Sequence, residues 1–350
     1  MIDAVDLLRE LVRIPSESRQ EAAIVSRLER VFSDLGWAPA RDGRNLHAFL
    51  GTDGPLLLLN SHTDTVPAGE NWTRPPWEAD LEEGRIYGRG ANDAKGCLTA
   101  MILGAARAFS GRAPRGRVCV AATCEEEVSG QGLEKLIADI PRPDAAVIGE
   151  PTELQPAVAQ KGLIVLEILA KGRAAHAAWG GGVNAIEAAA KDVASLAGFE
   201  FERSHPALGK PSLCVTQIQG GTRHNVIPDL CKLVVDIRTT PDYSVEDIIA
   251  NVKDKVRGEV TVRSKRLHAV STDPSHPIVQ AALKASPGSK PYGSPTLSDW
   301  VYLKGIPTVK VGPGDSRRSH TPDEYIEVAE LEAGVAFYER LIRNYFEGAA

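Results

Sequence analysis

Three short apolar runs in the first half of the chain predict buried strands. They occupy residues 56–59, 117–123 and 145–148. Runs that stay apolar at successive positions, instead of alternating, are typical of strands buried on both faces of a sheet. A helical run at residues 97–111 separates the first two strands. This order of strand, helix and strand predicts an α/β fold, in which helices flank a sheet.

Polar residues follow each of these strands at the point where the strand ends. His62 and Asp64 come after the first strand, Glu126 and Glu127 after the second, and Glu150 after the third. Ligands of α/β sheets bind beyond the carboxyl ends of the strands. We therefore expect these side chains, which are distant in sequence, to converge on one site.

The hydrophobic pattern changes near Gly162, where apolar residues begin to alternate with others, as in a strand with one solvated face. From there to about Ser271 the order is strand, helix, strand, strand, helix, strand, which predicts a ferredoxin-like α+β domain. Elements of the α/β type then resume. The sequence thus predicts a catalytic domain in two parts, residues 1–161 and 272–350, with residues 162–271 inserted between them.

Near the N-terminus, Ser18 and Glu21 have the spacing of a capping box ahead of a helical apolar periodicity from Ile24 to Leu35. This spacing predicts that Ser18 caps the helix N-terminus. Gly36 follows the helix and is a suitable residue for its C-terminal cap.

The composition is that of an ordinary globular protein. The chain has 350 residues, 43% of them hydrophobic and 25% charged, with a formal net charge of −6 and a pI of about 5.8. This charge does not favour a nucleic-acid-binding surface. The N-terminus does not resemble a signal peptide, no apolar stretch approaches the roughly 18 residues of a membrane span, and the five cysteines are scattered without CxxC spacing. We expect a cytoplasmic protein that binds neither nucleic acid nor membrane.

Two further candidate residues lie in glycine-rich loops: Asp93 in GRGANDAKG and His320 in GPGDSRRSHTPDE. With the strand-end groups they supply imidazoles and carboxylates without cysteine, which are donors that suit zinc, manganese or cobalt. Each signal is weak alone, because a single histidine is more often structural and a run of glutamates is more often solvated. Together they predict a metal site, in which adjacent Glu126 and Glu127 divide metal binding from proton transfer.

Seven motifs, in order along essentially the whole chain, resemble those of the M20 family of zinc-dependent amidohydrolases and peptidases. They are SHTDTVP, GRGANDAKG, EEEVSGQG, GEPT, AAHAAWGGGVNAI, GGTRHNVIP and GPGD…HTPDE. The resemblance implies a zinc-peptidase-like mixed sheet flanked by helices and an inserted lid and dimerisation domain. It also implies two divalent metal ions, for which zinc is the first choice and cobalt or manganese are alternatives.

The resemblance implies which residues hold these ions. His62 and Glu150 would be the terminal ligands of one metal ion. Glu127 and His320 would be those of the other, and Asp93 would bridge the two. The peptide bond that follows Asp93 would be cis.

Two residues would act beside the metal ions. Asp64 would accept the imidazole N–H of His62 and fix its tautomer. Glu126 would be the general base. The three consecutive glutamates leave the register open by one residue, and the spacing to Gly130 and Gly132 favours Glu126 for this role.

Three residues of the inserted domain match positions that face substrate in the family. His176 would reach into the active site of the partner subunit and steady the tetrahedral intermediate. Asn225 and Arg238 would contact substrate, and Arg238 could clamp a carboxylate through two parallel hydrogen bonds. In isolation these would be interpreted as surface residues. The resemblance implies a homodimer built through the inserted domain, with each site completed in trans.

Departures from the family pattern bear on the substrate, which we expect to be a small N-acyl amino acid or a dipeptide. Desuccinylases of the family carry Arg-Arg where this chain has Gln160 and Lys161, and GGTSD where it has residues 295–299. These differences argue against a second carboxylate clamp. The motif GPGDS…HTPDE and the short length look more like those of acetylornithine deacetylases, so that we expect an acetylornithine deacetylase-like activity in amino-acid biosynthesis. The alternatives are a succinyl-diaminopimelate desuccinylase, a hydrolase that frees lysine or ornithine from a carrier protein, a dipeptidase or carboxypeptidase, and an inactive relative that only binds metal.

Overall fold

The structure is a computed structural model and describes residues 2–111 and 113–348. In these ranges the α-helices are α1 (Ala4–Val12), α2 (Ala22–Asp34), α3 (Lys95–Phe109), α4 (Gln131–Asp139), α5 (Ala185–Ala197), α6 (Val245–Lys255), α7 (Pro277–Ala285) and α8 (Val328–Gly348). The strands are β1 (Ala40–Asp42), β2 (Asn45–Leu50), β3 (Leu56–His62), β4 (Leu81–Glu82), β5 (Arg85–Tyr87), β6 (Arg117–Thr123), β7 (Ala145–Ile148), β8 (Ala157–Gln160), β9 (Gly162–Lys171), β10 (Ala175–His176), β11 (Ser212–Gly220), β12 (Val226–Ile227), β13 (Leu230–Thr239), β14 (Glu259–Leu267), β15 (Val270–Ser271), β16 (Tyr292–Ser294), β17 (Thr308–Lys310) and β18 (Tyr325–Glu327). None of these helices combines the length and apolarity that spanning a bilayer requires.

The chain divides into two units. The first comprises residues 2–158, Thr272–Tyr292 and residues 298–348, and the second comprises Ala159–Ser271 and Gly293–Leu297. The chain thus enters the second unit within β8, a few residues before the start that the sequence predicts for the inserted domain. The short segment 293–297 also joins this unit. A segment of five residues leaves no periodic signal that sequence reasoning could use.

The apolar runs of the first half form the centre of a mixed sheet in the first unit. The strand order is β1-β2-β6-β3-β7-β17-β8. Strand β3 runs parallel to β6 and β7, and β17 runs parallel to β7, whereas β2 is antiparallel to β6. Every residue of β3 is buried. The mixed sheet flanked by helices confirms the α/β fold class.

Helices α3 and α8 contact each other closely in the first unit. Helix α3 is buried along most of its length and is apolar on nearly all sides, as expected for a helix that is covered all round. Gly104 permits the close approach, because a Cβ there would lie 2.6 Å from Tyr338 Cβ and 2.9 Å from Val335 O. The side chains of Phe337 and Leu341 on α8 belong to the same hydrophobic core.

The second unit is an antiparallel sheet with two helices. Its chain order is β9, α5, β11, β13, α6 and β14, and the strand order in the sheet is β11-β13-β9-β14. Residues of β9 alternate between buried and half-buried, as the sequence pattern predicts. Helices α5 and α6 contribute Ala189, Ile248 and Val252 to a separate hydrophobic core. This is a ferredoxin-like arrangement of strands and helices.

The predicted capping box at Ser18 is wrong. Helix α2 begins at Ala22 with Glu21 as the N-cap residue, and no side chain of the described residues caps it. The hydroxyl of Ser18 instead donates to Asp64 Oδ2 at 2.7 Å. Ser18 therefore makes a tertiary hydrogen bond to Asp64, a residue of the candidate site, and not the local hydrogen bond of a helix cap.

Candidate metal centre

Loops and strand ends of the first unit carry the predicted ligand residues. His62 is the last residue of β3, Glu127 lies in the turn after β6, and Glu150 follows the end of β7. Because β3, β6 and β7 are neighbouring parallel strands, their carboxyl ends lie side by side at the same end of the sheet. Asp93 precedes α3, and His320 lies in the loop before β18.

Three of these residues form a first ligand set. Nε2 of His62 lies 3.1 Å from Asp93 Oδ1 and 3.9 Å from Glu150 Oε1. One ligand atom from each of the three lies within 4.8 Å of the others. His62 is buried, and the side chains of Asp93 and Glu150 are 11% and 13% exposed. The three could coordinate one cation.

Asp93 also belongs to a second ligand set. Nε2 of His320 lies 3.0 Å from Glu127 Oε1 and 3.7 Å from Asp93 Oδ2. Ligand atoms of these three residues again lie within 4.8 Å of one another. The two carboxylate oxygens of Asp93 therefore face different imidazoles, as in a carboxylate that bridges two cations. His62, Glu126 and Glu127 form a third such group.

Asp64 contacts both His62 and the turn that carries the glutamates. Nδ1 of His62 lies 2.9 Å from the main-chain oxygen of Asp64 and 3.5 Å from its Oδ1. The imidazole nitrogen thus lies nearer to the carbonyl of Asp64 than to its carboxylate, which is the partner that the family resemblance implies. That carboxylate accepts the main-chain N–H of Glu126 at 3.1 Å and of Glu127 at 3.2 Å. With the hydroxyl of Ser18 as a third donor, Asp64 fixes the backbone of both glutamates.

The three consecutive glutamates have different surroundings. Glu125 has a φ of 59°, and its carboxylate contacts the guanidinium of Arg44 and accepts the hydroxyl of Ser129 at 2.8 Å. Ligand atoms of Glu126 and Glu127 instead lie near the imidazole of His62. This is the register that the spacing of the following glycines favours.

Burial and mutual repulsion alter the pKa values of the clustered side chains. Burial raises the pKa of Glu126 well above its usual value, and the charge of Glu150 adds to this effect. Burial and the charge of Asp93 raise the pKa of Glu150 to about 8. Burial alone would lower the pKa of His62, but hydrogen bonds to Asp64 and Asp93 outweigh it and raise that pKa well above the usual value. The cluster holds buried negative charge that a cation would neutralise.

Three buried charged residues near this cluster have no role in the sequence-based prediction. Lys310 on β17 is 2% exposed, and burial lowers its pKa against the opposing charge of Glu150. Burial raises the pKa of Asp299 to about 7. Glu324 accepts the main-chain N–H of Asp93 at 2.9 Å. The sequence contains a signal for two of these residues. Lys310 is a single lysine in an apolar strand, and Glu324 is the acidic residue that ends HTPDE.

The three candidates of the inserted domain lie in the second unit. His176 on β10 is exposed and pairs with Val226 of β12. Asn225 directly precedes β12, and its main-chain oxygen accepts the N–H of Ala177 at 2.9 Å. Arg238 on β13 donates through Nε to Asp236 Oδ1 at 2.9 Å and through Nη2 to Oδ2 at 3.3 Å. Contacts of these residues with substrate or a second subunit stay predictions.

The donors of the two ligand sets fit divalent cations of the zinc type. Each set joins one imidazole nitrogen to carboxylate oxygens, and zinc, cobalt and manganese all accept such donors. No cysteine among the described residues belongs to either set. The peptide bond between Asp93 and Ala94 is cis, as the family resemblance implies.

Known proteins resemble this chain over nearly its full length. A profile of peptidase family M20/M25/M40 matches residues 58–344. The chain is 31% identical to acetylornithine deacetylase from Proteus mirabilis, over 97% of this chain and 96% of that protein. It is 32% identical to succinyl-diaminopimelate desuccinylase from Phenylobacterium zucineum, over 99% of both.

Solved structures share the fold at lower sequence identity. Aminopeptidase PepT from Bacillus cereus matches with a TM-score of 0.81 at 22% identity, covering 98% of each chain. The YXEP protein from Bacillus subtilis, a dinuclear metal binding peptidase of the M20 family, matches with a TM-score of 0.75 at 18% identity, again covering 98% of each chain.

The family profile and the two relatives, together with the cluster of imidazoles and carboxylates, define a metal-dependent amidohydrolase or peptidase. The chain belongs to the peptidase family M20/M25/M40. This membership confirms the family and the hydrolase class that the ordered motifs predict.

Proposed function

We propose that the protein hydrolyses the amide bond of an N-acyl amino acid, as an acetylornithine deacetylase-like enzyme with Glu126 as the general base. The observation that carries this proposal is that two ligand sets share Asp93, one through each oxygen, while Glu126 lies beside His62. A bridged pair of cations next to a free carboxylate is the arrangement that amide hydrolysis by water needs.

In this proposal His62 and Glu150 would hold one cation, Glu127 and His320 would hold the other, and Asp93 would be shared by both. Zinc is our first choice, with cobalt or manganese as alternatives. When bound, such cations lower the pKa of a water molecule toward about 7 and polarise a carbonyl oxygen.

Glu126 moves the proton in this reaction. It takes a proton from the attacking water as the water oxygen bonds to the carbonyl carbon, and it returns that proton to the amine nitrogen when the C–N bond breaks. The hydrogen bond from its N–H to Asp64 holds the backbone of Glu126 in place.

The substrate assignment is the finer part of the proposal. The likeness to acetylornithine deacetylase supports it, as does the lack of the desuccinylase Arg-Arg pair at Gln160 and Lys161. The ammonium of Lys161 donates to the carbonyl of Lys210 at 3.1 Å, so that it already has a partner within the second unit. A second carboxylate clamp, which a succinyl group would need, therefore finds little support.

A comparison of substrates and metals tests this proposal. The purified protein is loaded with zinc, cobalt or manganese, and kcat/KM is measured for N-acetylornithine, N-succinyl-diaminopimelate and a set of dipeptides. We expect N-acetylornithine to be preferred by at least about tenfold. Turnover of none of these amides, nor of a carrier-protein conjugate of lysine or ornithine, by fully loaded protein would identify a relative that binds metal without catalysis.

A desuccinylase is the second candidate, favoured by the 32% identity to succinyl-diaminopimelate desuccinylase. In that case N-succinyl-diaminopimelate would be hydrolysed faster than N-acetylornithine. Substitution of Lys161 by Met would then raise KM for the succinyl substrate, because the ammonium would contact its extra carboxylate. Under the acetylornithine assignment the same substitution leaves KM for N-acetylornithine within about threefold of its wild-type value.

We further propose that two copies of the chain form a dimer through the second unit. Exposed apolar side chains of this unit support the proposal: Trp179 is 87% exposed, Ile218 on β11 is 53% exposed and Leu230 is 48% exposed. Strand β11 is also an edge of its sheet, and an edge strand with exposed apolar residues is suited to pairing with another chain.

A further inference from the structure

Glu324 is a buried carboxylate that accepts four hydrogen bonds from the loop that carries Asp93. Its Oε1 accepts the main-chain N–H groups of Gly90 at 3.1 Å, Asn92 at 2.9 Å and Asp93 at 2.9 Å. Its Oε2 accepts from Nη1 of Arg89 at 2.6 Å. The side chains of Glu324 and Arg89 are 0% and 2% exposed. This one carboxylate therefore binds most of the backbone leading to the shared ligand.

The segment that ends at Glu324 also carries His320. A second group of hydrogen bonds, made by Asn92, holds the residues that precede this histidine. Nδ2 of Asn92 donates to the main-chain oxygen of Asp315 at 3.0 Å and to Ser319 Oγ at 3.3 Å. Oδ1 of Asn92 accepts the N–H of Asp315 at 3.1 Å. The residues on both sides of His320 are thus joined to the loop of the shared ligand.

We infer that Glu324 is a positioning residue that fixes Asp93 relative to His320 and thereby sets the geometry of both ligand sets. This inference rests on the ligand assignments of the proposed function. Glu324 belongs to neither ligand set and is fully buried, so it acts through the groups it holds and not on the substrate.

A charged carboxylate is needed at this position for a physical reason. Hydrogen bonds to an ionised acceptor are roughly twice as strong as those between neutral groups, and four donors converge on Glu324. The guanidinium of Arg89 balances the charge inside the protein. If either partner of a buried ion pair is removed, the other remains as an uncompensated charge. Arg89 therefore takes part in positioning Asp93, because it keeps the carboxylate of Glu324 charged.

The substitution Glu324→Gln tests the inference while it keeps the size of the side chain. Its amide oxygen can still accept the backbone N–H groups, but its NH₂ group would face the donors of Arg89. We expect metal affinity, measured by competition with a chromophoric chelator, to fall by about 10–100-fold. The visible absorption spectrum of the cobalt-loaded variant should also change, and kcat should fall more than KM rises.

A matched control removes a buried carboxylate of similar bonding from the second unit. Asp192 is 3% exposed and accepts the main-chain N–H groups of Arg257 at 2.9 Å and Gly258 at 3.0 Å. We expect Asp192→Asn to lower the midpoint of thermal unfolding and to leave metal affinity and the cobalt spectrum unchanged. If Glu324→Gln behaves like this control, the inference is overturned.

Two further variants separate the possible failures. If Glu324→Gln does not fold, Arg89→Lys replaces it, since lysine keeps the charge but loses the forked geometry, and the same criteria apply. Asp93→Asn tests the ligand assignment itself. Loss of metal in Asp93→Asn together with wild-type affinity in Glu324→Gln overturns only the positioning role. Wild-type affinity in Asp93→Asn overturns the proposed ligand set and the inference with it.

Discussion

The carboxylate of Asp64 accepts the main-chain N–H of Glu127 through Oδ2 at 3.2 Å, and its Oδ1 accepts the preceding N–H, of Glu126, at 3.1 Å. One aspartate thus orients the residue assigned to proton transfer and a residue assigned to metal binding. The turn after β6 depends on a side chain from the segment that follows β3.

Replacement of Asp64 by Asn should disturb both glutamates, because an amide has one acceptor oxygen and would present its NH₂ group to one of the two N–H donors. We expect kcat to fall by about 10–100-fold, with weaker metal binding. Ser18→Ala removes only one donor to the same carboxylate and should have a smaller effect. Equal kcat values for Asp64→Asn and the wild type would contradict this role.

Glu126→Gln should abolish proton transfer without loss of metal. We expect kcat to fall by at least about 10²–10⁴-fold, since an amide cannot accept the proton from water. Metal content, measured by elemental analysis, should equal that of the wild type. Glu125→Gln is the matched control, because Glu125 contacts Arg44 and Ser129, and its kcat should stay within about tenfold of the wild-type value. Reversed effects in the two variants would place the base at Glu125.

Removal of metal should lower both activity and stability. A chelator-treated protein should lose activity and recover it with zinc, and zinc at about 100-fold its Kd should stabilise the folded state by about 2.7 kcal/mol for each site that it fills. His62→Ala and His320→Ala should each retain about one metal ion per chain, because each removes a ligand from one set. Asp93→Ala should retain less than either. Two metal ions in all three variants would argue against the shared-ligand arrangement.

Hybrid dimers test whether His176 acts on the partner's site. A mixture of His176→Ala and Glu126→Gln subunits, after exchange, contains hybrids in which one site has both residues if His176 acts in trans. Equal amounts should then recover about a quarter of wild-type activity, although each parent is nearly inactive. No recovery from two inactive parents, with subunit exchange verified by mass spectrometry, would mean that His176 acts within its own chain. An active His176→Ala parent would mean that His176 does not act in the reaction.

Gly104 should tolerate no side chain, because a Cβ there would meet Tyr338 Cβ at 2.6 Å. We expect Gly104→Ala to lower the free energy of unfolding by about 1–3 kcal/mol, as overpacking does. Gly198→Ala is a control at the end of α5, where the nearest atom to a new Cβ is Ala194 O at 3.9 Å. Chemical denaturation of both variants would measure the difference.

Much of the first unit could be predicted because its signals are local. The leucines of β3 are buried on both faces, and such a strand is apolar at successive positions, so that its polar end at His62 stands out. The ligand residues follow strands or glycine-rich turns for the same reason. The family resemblance then supplied their roles, which strand ends alone do not give.

The residues that sequence reasoning missed depend on partners far away in the chain. Ser18 has the spacing of a helix cap, yet its hydroxyl binds Asp64, which is 46 residues away. Glu324 binds N–H groups more than 230 residues away, the nearest in sequence being that of Asp93. No local pattern marks such a carboxylate as different from a solvated one, and only tertiary structure shows its burial.

Residues 159–271 interrupt the first unit, so the two main parts of that unit are synthesised at different times. Four of the five assigned ligands leave the ribosome before that segment, whereas His320 and the whole of α8 leave after it. The nascent second unit can therefore fold while the first unit still lacks α8, which is a helix of the hydrophobic core of the first unit. The second of the two proposed ligand sets can therefore be completed only late in synthesis, and a chain that stops short of His320 would lack α8 and present an unfinished core to chaperones and proteases.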